Sequence, residues 1–220
     1  MGWAVLPASL PTGRLVLEAL CNSDKPARQQ ARRQDCPPHI AEMPLPHIHT
    51  TRLHLRPWRT SDRPLFAALN ADPEVMEHFP STLTTEESDA MLDRVDAHIA
   101  RHGFGPWAVE IPDVTEFAGF IGLAVPSFEA PFAPTVEVAW RLARAYWGKG
   151  YATEGAKAAI DFGFSNLNLP EVVAFTVPQN LRSVAVMKRL GMRYAGEFNH
   201  PTVGSPHVLY RLLSAAQPHA

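Results

Sequence analysis

A chain of 220 residues with 46% hydrophobic content has enough apolar side chains for one domain with a substantial core. Its formal net charge is -2 with the charges scattered, which excludes the basic stripe of a nucleic-acid binder and an acidic solvating tail. No run of about 18 apolar residues occurs, so no membrane span and a soluble, cytoplasmic protein are expected.

Residues 1–50 read as a loosely ordered leader. They hold both cysteines, Cys21 and Cys36, the prolines Pro7, Pro11, Pro26, Pro37 and Pro38, and the polar run KPARQQARRQD, a composition that buries little. The apolar opening is broken by prolines and lacks a basic start, which argues against a secretory signal. Met43 is the expected start of the working chain. The remainder lacks cysteine, so its fold needs no disulfide. His47, His49 and His54 are close in sequence without a cysteine or carboxylate partner. They read as surface histidines, and no metal site is expected.

Residues 51–213 read as a single α/β (α+β) domain, with 214–220 as a tail. RLHLRPW alternates as a strand does. SDRPLFAALNAD and TTEESDAMLDRVDAHIARHG follow as helices, the second with Glu86 and Glu87 at its start and Met91, Val95 and Ile99 near one face. WAVEI, FAGFIGLAV and VEVAWRL form a three-strand meander. AKAAIDFGFSN is a helix, EVVAFTV a buried strand, and NLRSVAVMKRLG a helix begun by Asn180 and stopped by Gly191. MRYAGE and PHVLYRLL complete the sheet.

Between the third meander strand and the next helix lies YWGKGYATEG. Glycines at 148 and 150 suit a backbone that turns sharply or lets another group approach. Such a turn aims several N–H groups at one point, and the helix N-terminus adds positive potential, so a phosphate is the expected visitor; a tight turn without a ligand is the alternative. The spacing fits neither a P-loop nor a dinucleotide fingerprint, because Gly148-Lys149 runs into Gly150 and Thr153 stands where a third small residue belongs. A G-x-S-x-G nucleophile elbow and an H-E-x-x-H zinc helix are both absent.

Taken together, AYWGKGYATEG and NLRSVAVMKRLGM, with one helix and one strand between them, resemble the two signatures of the GNAT superfamily of acetyl-CoA-dependent N-acetyltransferases. The closest likeness is to the branch that acetylates ribosomal-protein N-termini. The resemblance covers about residues 51–213. It implies a mixed, mostly antiparallel sheet splayed between VEVAWRL and EVVAFTV, with acetyl-CoA lying in the split. The backbone of Trp147, Gly148, Lys149, Gly150, Tyr151 and Ala152 would hold the pyrophosphate, and Arg144 and Lys149 would add charge or else form a surface pair. Asn180 would help position the coenzyme or serve only as a helix cap.

The chain departs from the family pattern at two places. Ala145 stands where a glutamine or arginine is usual, and Met187 where a tyrosine often protonates the departing thiolate. The resemblance makes Ser183 the substitute, and its face, shared with Val186, Met187 and Leu190, points it inward. Glu137 matches the family's strand glutamate and is the expected base, the other reading being an ion pair with Arg141 on an exposed strand face. Trp107, Phe128 and Phe132 are core aromatics or an acceptor pocket, and His207 and Tyr210 rank behind Glu137 and Ser183. Direct transfer of acetyl from acetyl-CoA to a primary amine is therefore expected, with no metal. The acceptor is a protein N-terminus or a small-molecule amine, and an acetyl-CoA-binding module without catalysis is the rival. A monomer or homodimer with no nucleic-acid or membrane partner completes the expectation.

Overall fold

The computed structural model describes residues 45–215 apart from 131 and 134. Most of the leader, with Cys21, Cys36 and the Met43 start, and tail residues 216–220 lie outside the described residues. The packed body already includes Leu45, 4% exposed, and the strand Ile48–His49, so it begins inside the stretch read as leader.

In chain order the elements are β1 (Ile48–His49), β2 (His54–Arg56), α1 (Asp62–Ala71), α2 (Thr85–His102), β3 (Pro106–Ile111), β4 (Thr115–Ala124) and β5 (Glu137–Leu142). A 3-10 turn (Arg144–Tyr146) then leads to α3 (Tyr151–Asn166), β6 (Glu171–Thr176), α4 (Leu181–Arg189), β7 (Arg193–Asn199) and β8 (Pro206–Leu213). They form one 8-stranded sheet in the order β1-β2-β3-β4-β5-β6-β8-β7. Every neighbouring pair is antiparallel except β5 and β6, which run parallel.

Local chemistry sets several boundaries. Thr84 caps α2 through a capping box, its hydroxyl accepting from Glu87 N–H at 3.2 Å while the Glu87 carboxylate accepts from Thr84 N–H at 2.9 Å. The strand read from RLHLRPW is shorter than expected. Arg52 lies in the β1–β2 turn, and Pro57, which has no N–H for the ladder, ends β2 after Arg56.

Both faces of the sheet centre are covered. On one side α3 contributes Ala156 and Ile160 to a cluster with Ile121, Leu123, Val138 and Trp140. On the other, Phe66 of α1 and Met91 of α2 pack with Ala108 and Phe120. Every residue of β5 is consequently buried, and the exposed Glu137–Arg141 face considered from the sequence does not exist. Arg56 is buried with Asp62 at 2.7 and 2.8 Å and with Glu110 at 2.9 Å, tying β2 to α1 and β3. Removing one member of such a pair leaves a buried charge, at a cost of about 3–5 kcal/mol.

Candidate functional site

The site begins where the sheet stops being continuous. Between β5 and β6 one pair is in register, Glu137 with Val173, fastened by Val173 N–H donating to the Val136 carbonyl at 2.9 Å. Past that pair a cleft of about 880 Å³ opens. It is lined by Trp140, Arg141 and Leu142 of β5, by Asn180, Ser183 and Val186 of α4, and by the loop entering α3.

That loop has the shape the sequence anticipates. Gly148 and Gly150 take φ of 72° and 82°, the left-handed region in which a side chain is strained, so the bend needs glycine at both places. Gly150 caps α3 without a side-chain bond, and Tyr151, Ala152 and Thr153 of the first turn line the cleft. First-turn N–H groups have no partner within their helix, so they present donors and positive potential to the cleft. An anion is what this arrangement can hold.

The β1–β2 turn grips this loop from behind. Arg52 donates from Nε to Glu154 Oε2 at 2.7 Å and from Nη1 to the Lys149 carbonyl at 2.9 Å. Thr50 Oγ1 donates to Glu154 Oε1 at 2.7 Å. Burial works to raise the Glu154 carboxyl, but the bonds from Thr50 and Arg52 outweigh it and hold the group below the usual carboxylate range. Glu154 thus has a definite partner set, beyond the general preference for a carboxylate in a first helical turn.

Among the residues expected to hold the coenzyme, Trp147, Gly148, Gly150, Tyr151, Ala152 and Asn180 line the cleft. Arg144 instead lies on the surface in a two-point pair with Glu74, at 2.6 and 2.7 Å. Lys149 offers its carbonyl to Arg52, and its ammonium sits 5.9 Å over the Tyr146 ring. Besides the buried Arg141, the cationic side chains lining the cleft are Lys157, Arg182 and Arg189. Sequence reading did not single out the latter two; the signal available was their spacing, seven apart on one helix face. Arg182 stacks 4.5 Å over Trp147 and pairs with Glu77 at 2.7 Å.

Ser183 is 3% exposed, lines the cleft, and its Oγ has no hydrogen-bond partner among the described residues. Asn180 caps α4, its Oδ1 accepting from Ser183 N–H at 3.1 Å. Glu137 is fully buried at the fork and is not among the cleft-lining residues. Met187 is buried at 1% exposure.

Arg141 is the residue that sequence reading missed. It is 4% exposed, its Nη1 donates to Asn70 Oδ1, its guanidinium lies 4.1 Å over Phe79, and its Nε is unpartnered among the described residues. Burial pushes its pKa down to about 9. The signal was a lone cation inside the apolar strand AWRL. A smaller pocket beside the cleft shares His78, Phe79 and Asn180 with it and adds Thr176 and His207. His207 Nδ1–H donates to the Ser205 carbonyl at 3.0 Å, leaving Nε2 as an acceptor, and burial lowers its pKa. Trp107 is a core residue whose indole donates to the Pro46 carbonyl at 2.6 Å. Phe128 and Phe132 pack around Phe175 and Phe198 rather than lining either pocket, and Tyr210 is in the core.

The residues present fit an acyl-coenzyme A. Left-handed glycines and first-turn N–H groups suit a pyrophosphate, and the cleft runs past Ser183, whose hydroxyl has no partner among the described residues, to Trp140 and Arg141 of β5. Comparison with known proteins agrees. The acetyltransferase (GNAT) domain family model matches residues 52–193. The FsC-acetyl coenzyme A-N(2)-transacetylase of Aspergillus fumigatus is 32% identical over 160 residues, covering 70% of this chain and 67% of that protein. An acetyltransferase from Agrobacterium tumefaciens superposes with a TM-score of 0.67 at 27% identity, covering 78% of this chain and 96% of that one. The fold is also that of RimL, a ribosomal L7/L12 alpha-N-protein acetyltransferase solved with coenzyme A, at a TM-score of 0.62 and 17% identity over 76% of this chain and 98% of that one. A sheet opened after one registered pair, with a glycine loop facing a capped helix across the gap, is the frame that this chain has because it belongs to the GNAT family of acetyltransferases.

Proposed function

We propose that this acetyltransferase moves acetyl from acetyl-CoA to the α-amine of a protein or peptide N-terminus. One observation carries the choice of acceptor. Among the described residues lining the cleft and its side pocket, Glu154 is the one carboxylate, and it is held by Arg52 and Thr50. A polycationic acceptor such as a polyamine has no carboxylate there to receive it. The Arg141 guanidinium, whose Nε has no partner among the described residues, and the neutral His207 suit an acceptor with a carbonyl or carboxylate near its amine.

Acetyl-CoA supplies an acetyl group activated as a thioester. In this reading the N–H groups from Gly148 to Ala152 hold the pyrophosphate, with Arg182 and Arg189 at the mouth. Trp147, expected among these donors, instead donates its N–H to the Arg144 carbonyl at 3.0 Å. Glu137, at the fork behind the cleft lining, takes the proton of the attacking amine through a water. An α-amine has a pKa of about 8 against about 10.4 for lysine, so this base has less to do. The hydroxyl of the cleft-lining Ser183, which has no partner among the described residues, hydrogen-bonds the departing thiolate. The second reading, a small-molecule amine such as an amino acid, draws support from the name of the Aspergillus relative. A cytoplasmic setting belongs to the same proposal.

The test is a thermal-shift titration of the full chain with acetyl-CoA, with NAD and ATP as controls, followed by thiol release with peptides, free amino acids and spermidine. Saturation at about 100 times the dissociation constant raises stability by about 2.7 kcal/mol. A shift with acetyl-CoA alone and turnover with peptides are expected. Amino acids working better than peptides would move the acceptor to the second reading, and tight binding without thiol release from any amine would make the protein a binding module.

A further inference from the structure

We propose that His47, His49 and His54 form a site for one divalent transition cation of the zinc class, and that filling it stiffens the turn that grips the coenzyme loop. The backbone delivers the three imidazoles to one place. His47 and His49 are two apart on extended chain and so share a face. His49 stands directly opposite His54 in the β1–β2 register, which puts the third ring on that same face.

One nitrogen from each histidine lies within 4.8 Å of the others, and His47 Nδ1 is 2.7 Å from His54 Nε2. Zinc–nitrogen bonds of about 2.0–2.1 Å in a tetrahedron require ligand nitrogens roughly 3.3 Å apart, a spacing between those two values. The His49 and His54 rings are stacked at 12°, and those of His47 and His54 at 26°. Closing on an ion therefore needs rotation about χ2, which exposed His47 and His49 are free to make. Three imidazoles leave a fourth position for water, a donor set matching borderline cations rather than calcium or magnesium.

The surroundings hold the ligands in place. The Pro46 carbonyl, one residue before His47, accepts from the Trp107 indole at 2.6 Å. His54 Nδ1 lies 3.7 Å from Glu110 Oε1, and the other Glu110 oxygen is fixed by Arg56 Nε at 2.9 Å. A carboxylate behind one imidazole nitrogen orients the other toward a metal.

The coupling rests on the acetyl-CoA reading above and follows from chain connectivity. The residues between His49 and His54 include Thr50 and Arg52, which hold Glu154 and the Lys149 carbonyl. A cation joining His49 to His54 closes the base of that turn and pre-positions both grips.

Calorimetric titration of the full chain with Zn²⁺ alone tests the site, and titration with acetyl-CoA in the presence and absence of Zn²⁺ tests the coupling. The thioester is used because a free coenzyme thiol binds zinc itself. One Zn²⁺ per chain is expected, with uptake lost in the His47→Ala/His49→Ala variant and in the milder His49→Gln, both at exposed positions. Acetyl-CoA affinity is expected to rise about fivefold with Zn²⁺ in the parent and not in the variants. Equal zinc uptake by parent and variants, or none by the parent, overturns the site. Zinc uptake with unchanged acetyl-CoA affinity overturns the coupling, and acetyl-CoA binding measured without zinc reports on the function itself.

Discussion

Glu137 and Val173 are the one pair at which β5 and β6 stay in register, so residue 137 stands where the two strands begin to part, behind the cleft lining. Glu137 is fully buried there. The proposed mechanism uses it as the base.

Replacing Glu137 with glutamine keeps the shape and removes the proton acceptor. Turnover is expected to fall by about 10² or more with little change in acetyl-CoA affinity. Steady-state kinetics beside His207→Gln assigns the step: full activity in the first variant with loss in the second would move the base to His207, whose Nε2 is the acceptor in the side pocket.

Ser183→Ala removes a buried hydroxyl that has no partner among the described residues, so stability is expected to hold or rise slightly. If the hydroxyl serves the thiolate, kcat drops while the melting temperature does not. An unchanged kcat would leave Ser183 as packing.

Arg141→Met removes a buried cation whose Nη1 donates to Asn70 Oδ1, leaving that buried acceptor without its donor. Stability is expected to fall by about 1–3 kcal/mol. The KM for a peptide acceptor should rise with the KM for acetyl-CoA unchanged. An unaltered acceptor KM would remove Arg141 from recognition.

Arg52→Ala breaks the grip on Glu154 and the Lys149 carbonyl. Because Arg52 is 46% exposed, global stability should shift by about 1 kcal/mol or less. The measured consequence is weaker acetyl-CoA binding, read by calorimetry, with acceptor KM preserved.

Acid should destabilise the fold through His98. Its Nδ1 bonds the Phe104 carbonyl at 3.1 Å and its Nε2 accepts from Val125 N–H at 3.0 Å, so a second proton would displace that donor. Burial, then the charge of His102, lowers its pKa to about 3 from 6.5. The unfolded chain therefore takes up the proton first. Stability is full above pH 6.5 and is lost as pH falls from there toward about 3, by up to about 1.4 kcal/mol per pH unit. Urea melts across this range should be steeper in pH for the parent than for His98→Gln.

Local pattern was enough for the elements and the loop. The four-residue spacing in α3, the capping box at Thr84 and the two left-handed glycines are properties of neighbouring residues, so the order of strands and helices and the shape of the coenzyme loop were legible in the chain. The side chains around that loop were not. Arg144 looked like a phosphate ligand because it adjoins the glycines, yet Glu74, far away in sequence, holds it at the surface, while Arg182 and Arg189 reach the cleft from another helix.

The fold family and the shape of the glycine loop follow from the chain alone, because backbone conformation at Gly148 and Gly150 and the cap at Asn180 depend on local chemistry. Only the tertiary structure decided that β5 is covered on both faces, that Arg141 is a buried cation at the cleft, and that three histidines converge at the sheet edge. Those outcomes depend on which faces of α1 and α2 meet the sheet and on the register of β1 with β2. Long-range packing sets both, and periodicity along the chain does not encode them.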